Sequence, residues 1–168
     1  MSERWIQNTS AFDRVKSVAL TVSTPRTAAW IATEAQVSEN TARSHLIRLT
    51  DLGILTTSPT DAGTGYAPDA IYTRSQDIRE LIQGNTADQL AAKAVDLQEE
   101  LAEFTASYGV DSPAALRTSI ATDTLSPEEA RERLEAVSNW EYARYRLSVV
   151  RDALEHYDMY SSSRPASA

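Results

Sequence analysis

Cysteine is missing from the 168 residues of this chain, and histidine is nearly so. Without cysteine the chain has no disulfide bonds, no thiolate metal sites and no sensing by thiol oxidation. The two histidines, His45 and His156, stand too far apart in sequence for the short spacing of paired metal ligands. We therefore expect the protein to work without a metal ion and without a cofactor.

Glycine and long apolar runs are scarce as well. The five glycines form no phosphate-binding loop, and the adjacent carboxylates Glu99–Glu100 and Glu128–Glu129 point in different directions on predicted helices. These absences argue against an enzyme. No run approaches the roughly 18 apolar residues of a membrane helix, and the first ten residues are too polar for a secretory signal. We expect a cytoplasmic protein with no membrane partner.

Lysine is the third scarcity, because Lys16 and Lys93 are the only lysines among 16 basic residues. Against them stand 24 acidic residues, which give a formal net charge of -8. This composition resembles that of halophilic, archaeal proteins that work in molar salt; an ordinary acidic protein is the alternative. Residues 1–76 hold seven basic and seven acidic side chains, so the net charge falls entirely in residues 77–168.

Residues Thr27 to Leu55 carry the pattern of two short helices joined by a tight turn. Thr27 is predicted to cap a first helix that ends near Ala35, and Ser38 to cap the second. Val37 would fill the corner between them, and Gly53 fits the end of the second helix. The periodicity of the second helix turns one stripe inward. Its members are Ala42, His45, Leu46 and Leu49.

A hairpin is predicted to follow the second helix. The pattern favours a short strand over residues 54–57, a loop rich in glycine and aspartate over 59–68, and a returning strand over 70–73. The fold class predicted is therefore mainly α with a small β-wing. Residues 1–76 would form a winged helix-turn-helix, with a reading helix over 38–52 and a wing over 56–74.

The stretch IATEAQVSENTARSHLIRLTDLGIL resembles the helix-turn-helix and wing entry of ArsR-type and MarR-type winged-helix transcriptional regulators. The likeness covers roughly Phe12 to Arg74, where apolar, small and polar positions agree in register. It implies a sequence-specific transcriptional regulator whose partner is double-stranded DNA. Gln36 departs from the pattern, since many relatives carry glycine at this turn, so a left-handed backbone there would be strained. The missing cysteine rules out a thiol-based metal sensor of the ArsR kind.

The outward face of the second helix and the wing supply the predicted DNA contacts. Arg43 suits guanine, Asn40 suits adenine and Glu39 suits the amino group of cytosine, while Thr41 and Arg48 suit phosphates. A solvated surface position is the alternative for each residue singly. His45 points inward, and we expect it to be buried and hydrogen-bonded. The full set of predicted DNA-contacting residues is Ser38, Glu39, Asn40, Thr41, Arg43, Ser44, Arg48, Thr64, Tyr66 and Arg74.

Residues 77–160 are predicted to be helical and to join two chains. A short helical segment over 77–83 breaks at Gly84, and Thr86 with Gln89 forms a capping box that opens a long helix ending at Gly109. Heptad spacing on this helix predicts a coiled-coil-like seam, with packing inside one chain as the alternative. The seam consists of Leu90, Ala94, Leu97, Leu101, Phe104 and Tyr108.

The last part of the chain begins with a short helix that is predicted to open at Asp111 or Ser112 with Pro113. The longest helix then opens at Ser126, Pro127 and Glu129 and runs to about Tyr160. Its aromatic residues suit a core or dimer interface better than a small-molecule pocket. They are Trp140, Tyr142, Tyr145, Tyr157 and Tyr160. The tail over 161–168 is predicted to be disordered.

A homodimer is expected, because two reading helices related by a twofold axis read half-sites about one DNA turn apart. The joining region would be residues 86–160, helped by Trp5 and Ile6. The residues predicted to form the dimer interface are Leu90, Leu97, Leu101, Phe104, Trp140, Leu147 and Leu154. Two other functions stay open: a winged-helix protein-interaction module without specific DNA binding, and an enzyme or ligand sensor that uses the aromatic helices.

Overall fold

A computed structural model describes residues 9–161. The predicted contribution of Trp5 and Ile6 lies outside them, and so does the predicted tail over 161–168 apart from Ser161, which is helical. The described residues are mainly helical, with a small three-stranded antiparallel sheet. At that level the predicted fold class is confirmed. The chain divides into two compact units, Met1–Gln76 and Asp77–Ala168.

The first unit contains three helices, a small sheet and the start of a fourth helix within its described residues. Its elements are α1 (Ala11–Thr21), β1 (Arg26–Thr27), α2 (Ala28–Ala35), α3 (Glu39–Asp51), β2 (Leu55–Thr60), β3 (Gly63–Pro68) and the first residues of α4 (Ala70–Gly84). Apolar side chains from α1, α2, α3 and the sheet form one core. Val15, Ile31 and Leu46 are completely buried in it, so α3 is fixed against the rest of the unit by one face.

The two caps predicted around the turn between α2 and α3 are confirmed. The Thr27 hydroxyl accepts from the Trp30 backbone N–H, and the Ser38 hydroxyl accepts from the Thr41 backbone N–H. Between them Gln36 takes the left-handed conformation at φ 52°, ψ 53°. Its N–H donates to the Thr33 carbonyl at 3.2 Å, which closes α2. A residue with a side chain thus occupies a conformation that favours glycine.

Gly53 closes α3 in the same way. It lies at φ 70°, and its N–H donates to the Thr50 carbonyl while the N–H of Ile54 donates to the Leu49 carbonyl, both at 2.9 Å. This pair of bonds is the Schellman motif, in which a left-handed residue satisfies the last carbonyls of a helix. The predicted glycine stop is confirmed.

The hairpin exists, but the predicted strand boundaries were wrong. β2 and β3 are joined by the two residues Asp61 and Ala62, so most of the predicted loop over 59–68 is strand. The predicted returning strand over 70–73 is the first turn of α4. The helix starts here because Asp69 caps it: the Asp69 Oδ1 atom accepts from the N–H groups of Ile71 and Tyr72 at 2.9 Å each.

The sheet has an edge strand that the sequence did not reveal. The strand order is β1-β3-β2, and β1 pairs antiparallel with β3, placing Arg26 opposite Tyr66 and Thr27 opposite Gly65. Gly65 is required by this pairing. A Cβ atom added there would lie 2.6 Å from the Thr60 methyl carbon and 2.8 Å from Pro25 Cβ.

The second unit is a set of helices. It contains the end of α4 together with α5 (Ala87–Tyr108), α6 (Pro113–Thr122), α7 (Pro127–Glu155) and α8 (Tyr157–Ser161). The capping box that opens α5 and the Ser126 cap of α7 are confirmed, and of the two starts predicted for α6, Ser112 is the cap. α4 is longer than the segment predicted over 77–83. The last long helix ends at Glu155, before the predicted end near Tyr160.

The heptad seam of α5 is covered inside the chain. Leu90 and Leu97 are 0% and 3% exposed, and the Phe104 ring stacks on the ring of Trp140 with centroids 5.4 Å apart. The remaining seam residues pack into the same two cores, which α7 helps to form. These side chains therefore pack within the chain, which is the alternative to a coiled coil, and their part in a dimer interface stays a prediction. The residues of that predicted interface are Leu90, Leu97, Leu101, Phe104, Trp140, Leu147 and Leu154.

Candidate nucleic-acid interface

Helix α3 has a buried stripe and an exposed stripe on opposite sides. Ala42, Leu46 and Leu49 are each 0% exposed, which anchors the inner side. The outer side carries hydrogen-bonding groups at helical spacing. The exposed residues on it are Ser38, Glu39, Asn40, Arg43, Ser44, Ile47 and Arg48. We call this set the outer face of α3. It brings together seven side chains within three turns of one rigid helix.

Ser38 and Thr41 are engaged at the start of α3. The Ser38 and Thr41 hydroxyl oxygens lie 2.8 Å apart, and Ser38 also accepts the Thr41 N–H at 3.2 Å. Thr41 is half-buried as a result. These two predicted DNA contacts therefore first serve the helix cap, and they are free to bind a ligand only through their remaining lone pairs or proton.

Arg43 and Glu39 form an ion pair on the outer face. The Arg43 Nη2 and Glu39 Oε1 atoms are 2.5 Å apart, and the two side chains are 55% and 50% exposed. An exposed pair one helical turn apart contributes only about 0.3–0.5 kcal/mol. Arg43 is thus held in place weakly enough to exchange its carboxylate partner for another acceptor.

Arg48 and His45 both contact Phe12 of α1. The Arg48 guanidinium carbon lies 5.5 Å from the Phe12 ring centroid, and the His45 ring meets the same phenyl ring edge-on at 5.5 Å. His45 is half-buried, so the inward direction is confirmed, while full burial is corrected. Arg48 is exposed, and the cation–π contact of its guanidinium with the Phe12 ring orients the side chain.

The predicted wing contacts separate in the structure. Thr64 is exposed near the hairpin turn, where it lies opposite Pro59 in the register. Tyr66 is only 6% exposed and belongs to the core of the first unit, so little of its surface is left for the predicted contact with DNA. Arg74 lies on α4 and is half-buried, not on a wing strand. The tyrosine is inward because strand pairing fixes alternate residues on the core side.

Sequence reasoning missed a basic residue beside the hairpin. The hairpin strands carry no lysine or arginine, and the turn carries Asp61. Arg26 on the neighbouring strand β1 supplies the positive charge instead, and its guanidinium carbon lies 5.0 Å from the Trp30 ring centroid. The four-residue spacing between Arg26 and Trp30 is present in the sequence. Arg26 precedes α2, however, so helical periodicity gives no reason to place it beside Trp30.

A buried arginine positions the turn that leads into α3. Arg14 of α1 is 9% exposed, and its Nε atom donates to the Ala35 carbonyl at 3.0 Å, while Nη1 donates to the Thr9 carbonyl at 2.8 Å. Ala35 is the last residue of α2, where carbonyls lack helical partners and the helix dipole is negative. Arg14 thus ties α1 to the end of α2.

The chain belongs to a family of unknown function, DUF7342, whose model matches residues 9–159. The matched range covers most of both units, including the outer face of α3 and the helices α5 to α7. No curated protein and no solved structure matches the chain.

The aromatic residues of the C-terminal helices have separate surroundings. Trp140 is stacked in a core, Tyr142 is 62% exposed under Arg146, and Tyr160 is 52% exposed. The other two are tied to separate partners: the Tyr145 hydroxyl donates to Asp77 Oδ2 at 2.5 Å, and the Tyr157 hydroxyl donates to the Asn85 carbonyl at 3.0 Å. Across residues 9–161 no three acidic or histidine side chains converge as metal ligands. None of the helices in that range has both the length and the apolar character of a bilayer crossing.

Proposed function

We propose that the chain is a sequence-specific DNA-binding transcriptional regulator whose first unit acts as a winged helix-turn-helix. In this proposal α2 and α3 are the helix-turn-helix, and the β2–β3 hairpin is the wing. The single observation that carries it is the outer face of α3. It is exposed, rich in hydrogen-bonding groups and backed by side chains that are completely buried. An α-helix of this kind fits the major groove of B-DNA.

The chemistry of the outer face suits direct readout of bases. Arg43 can donate two hydrogen bonds to guanine and Asn40 can pair with adenine, each discriminating by about 1–3 kcal/mol. When Arg43 turns to a base, Glu39 loses its partner and becomes an acceptor for the amino group of cytosine. The ion pair therefore links the readout of two neighbouring bases.

Contacts to the DNA backbone are few in this proposal. Arg48 on α3 and Arg26 beside the hairpin are exposed cations over aromatic rings, and Thr64 offers a hydroxyl near the tip of the hairpin. Each phosphate contact by a cation contributes about 0.9 to the slope of log affinity against log salt. With two such contacts we expect a shallow slope. At 1 M salt the Debye length is about 3 Å, so only contact-distance interactions between the protein and DNA remain.

The proposed regulator acts as a homodimer, since two half-sites multiply specificity. The seam of α5 is occupied within the chain, so the contact between protomers would use the exposed sides of the second unit. Light scattering at micromolar concentration tests this part separately. A monomer mass would leave DNA reading intact but remove the expectation of a palindromic operator.

The experiment for the proposed function is selection from random duplex oligonucleotides at low and molar KCl. A recurring motif is expected, together with loss of discrimination in Arg43→Ala at an unchanged melting temperature. Arg117→Ala is the matched control, because Arg117 is 56% exposed and pairs with Glu141 at 3.0 Å, whereas Arg43 is 55% exposed and pairs with Glu39. The control should select the same motif as the wild type.

A winged-helix protein-interaction module is the second candidate. It is favoured by the neutralised Arg43–Glu39 pair and by two exposed aliphatic residues on α3 and its cap, Ile47 at 50% and Leu52 at 61%. A selection that enriches no sequence at any salt concentration would favour this function over the regulator.

A further inference from the structure

Ile47 is an apolar residue in the middle of the outer face of α3. It is 50% exposed and lies outside the apolar core of its unit. Asn40 precedes it by two helical turns, and Arg43 and Ser44 precede it by four and three residues. Residues at these spacings share one side of a helix. An aliphatic side chain is thus surrounded by the groups proposed to hydrogen-bond with bases.

A branched aliphatic residue has little reason to occupy this position in the free protein. Isoleucine has a lower helix propensity than the straight-chain residues common on exposed helix surfaces, and half of its surface stays in water. Single exposed apolar residues are ordinary on protein surfaces. The location of this one within a hydrogen-bonding stripe sets it apart from Leu52 at the end of the helix and from Ile71 on α4.

We propose that Ile47 is a specificity-determining residue that packs against the C5-methyl group of a thymine in the bound DNA. The inference rests on the proposed function and extends it to a base class. Among the groups displayed in the major groove, the thymine methyl is the apolar one, and the remainder are hydrogen-bond donors or acceptors. A lone aliphatic side chain flanked by asparagine, arginine and serine complements a lone methyl group flanked by polar base edges.

The spacing along α3 sets where the thymine lies. Ile47 follows Arg43 by one turn, so their side chains are about 5–6 Å apart on the helix surface. Base pairs are stacked about 3.4 Å apart. The thymine should therefore lie one or two base pairs from the base that Arg43 reads, and the half-site should carry it at that fixed distance.

The experiment replaces the thymine methyl and the isoleucine side chain separately and together. Each thymine of the selected sequence is exchanged for deoxyuridine, which lacks only the methyl group, and the Kd is measured by fluorescence anisotropy. At one thymine per half-site, wild-type affinity should fall about fourfold, the ratio that corresponds to burying one methyl group. Ile47→Ala should bind both duplexes with the same weakened affinity, and Ile47→Val should keep part of the difference.

Val95→Ala is the matched control, because Val95 is a branched aliphatic residue on a helix at 52% exposure. It should retain the full response to deoxyuridine. Circular dichroism melting checks that the Ile47 variants fold. Three results would overturn the inference: a selected half-site without thymine, no thymine whose methyl matters, or an equal methyl effect in the wild type and Ile47→Ala. A selection that yields no sequence would overturn the proposed function as well, so the two failures are distinguishable.

Discussion

Replacing Gln36 by glycine should stabilise the protein. Gln36 holds φ 52° and ψ 53° at the turn between α2 and α3, where a residue with a Cβ atom costs roughly 1–2 kcal/mol relative to the right-handed conformation. Glycine avoids this cost, but its greater freedom in the unfolded chain lowers the free energy of unfolding by about 0.5–1 kcal/mol. The net gain in the free energy of unfolding is expected to be about 0.5–1 kcal/mol.

The side chain itself should contribute little. Gln36 is exposed, so Gln36→Ala keeps the strained backbone, loses only a solvated amide, and should change the free energy of unfolding by less than about 0.5 kcal/mol. Gly53→Ala is the reverse experiment, since Gly53 occupies the same type of helix end at φ 70° and an added Cβ would meet nothing within 4 Å. A loss in that variant therefore reports backbone conformation alone.

Urea and thermal unfolding followed by circular dichroism measure all three variants. Gln36→Gly should raise the melting temperature by about 1–4 °C, and Gly53→Ala should lower it. Stability unchanged or lowered by Gln36→Gly, alongside a destabilised Gly53→Ala, would refute the reasoning that strain resides at this turn. An unchanged Gly53→Ala would refute the left-handed helix ends themselves.

Three further changes test other parts of the fold. Arg14→Met should cost about 1.5–3 kcal/mol of unfolding free energy, because it removes charged hydrogen bonds to carbonyls, while Lys16→Met on the same helix should stay within about 0.5 kcal/mol. Leu97→Ala should cost about 2–5 kcal/mol and leave the mass in light scattering unchanged; dissociation of a dimer would contradict the internal packing of the seam. The Ser126 backbone N–H bonded to Glu129 lowers the pKa of that carboxyl. Its stabilisation is present above the unfolded pKa of about 4.3 and is lost as pH falls through the lower folded value. In acid titrations followed by denaturation, the stability difference from Glu129→Gln should shrink in that range and stay constant above it.

Helix ends were predictable because their signals are local. A capping hydroxyl and the N–H that it accepts lie three residues apart, as at Ser38, Thr86 and Ser126. The glycine stops at Gly53 and Gly109 depend on the conformation of one residue. Such signals need no knowledge of the rest of the fold, so a single sequence contains them in full.

The hairpin boundaries were not predictable from the same signals. Pro59 and Gly65 suggest a loop, yet both lie in strands. Proline is tolerated in β2 because this strand is at the edge of the sheet. Glycine is required in β3 because Thr60 and Pro25 approach it closely. These reasons are tertiary, as is the packing of Tyr66 into the core of the first unit.

The heptad spacing of α5 predicts that one side of the helix is covered, but not which chain covers it. That spacing correctly indicated that one side of α5 is covered, as Leu90 and Leu97 are. The pattern does not say whether the cover comes from the same chain or from a second one, because an apolar stripe meets either in the same way. The exposed groups on α3 were predictable from periodicity for a related reason: exposure needs no partner to be identified.

The charge distribution of the proposed interface bears on how such a regulator would find its site. The first unit has as many acidic as basic residues, Arg43 is paired with Glu39, and Arg14 is buried between α1 and α2. Attraction to random DNA depends on cations that neutralise phosphates, and few remain for that purpose here. Binding to random DNA would therefore be weak, and the ratio of specific to non-specific affinity would depend on base contacts by Asn40, Arg43 and Ile47. Added salt would lower both affinities less than for a basic protein, so the proposed regulator is expected to keep a similar ratio from dilute to molar salt.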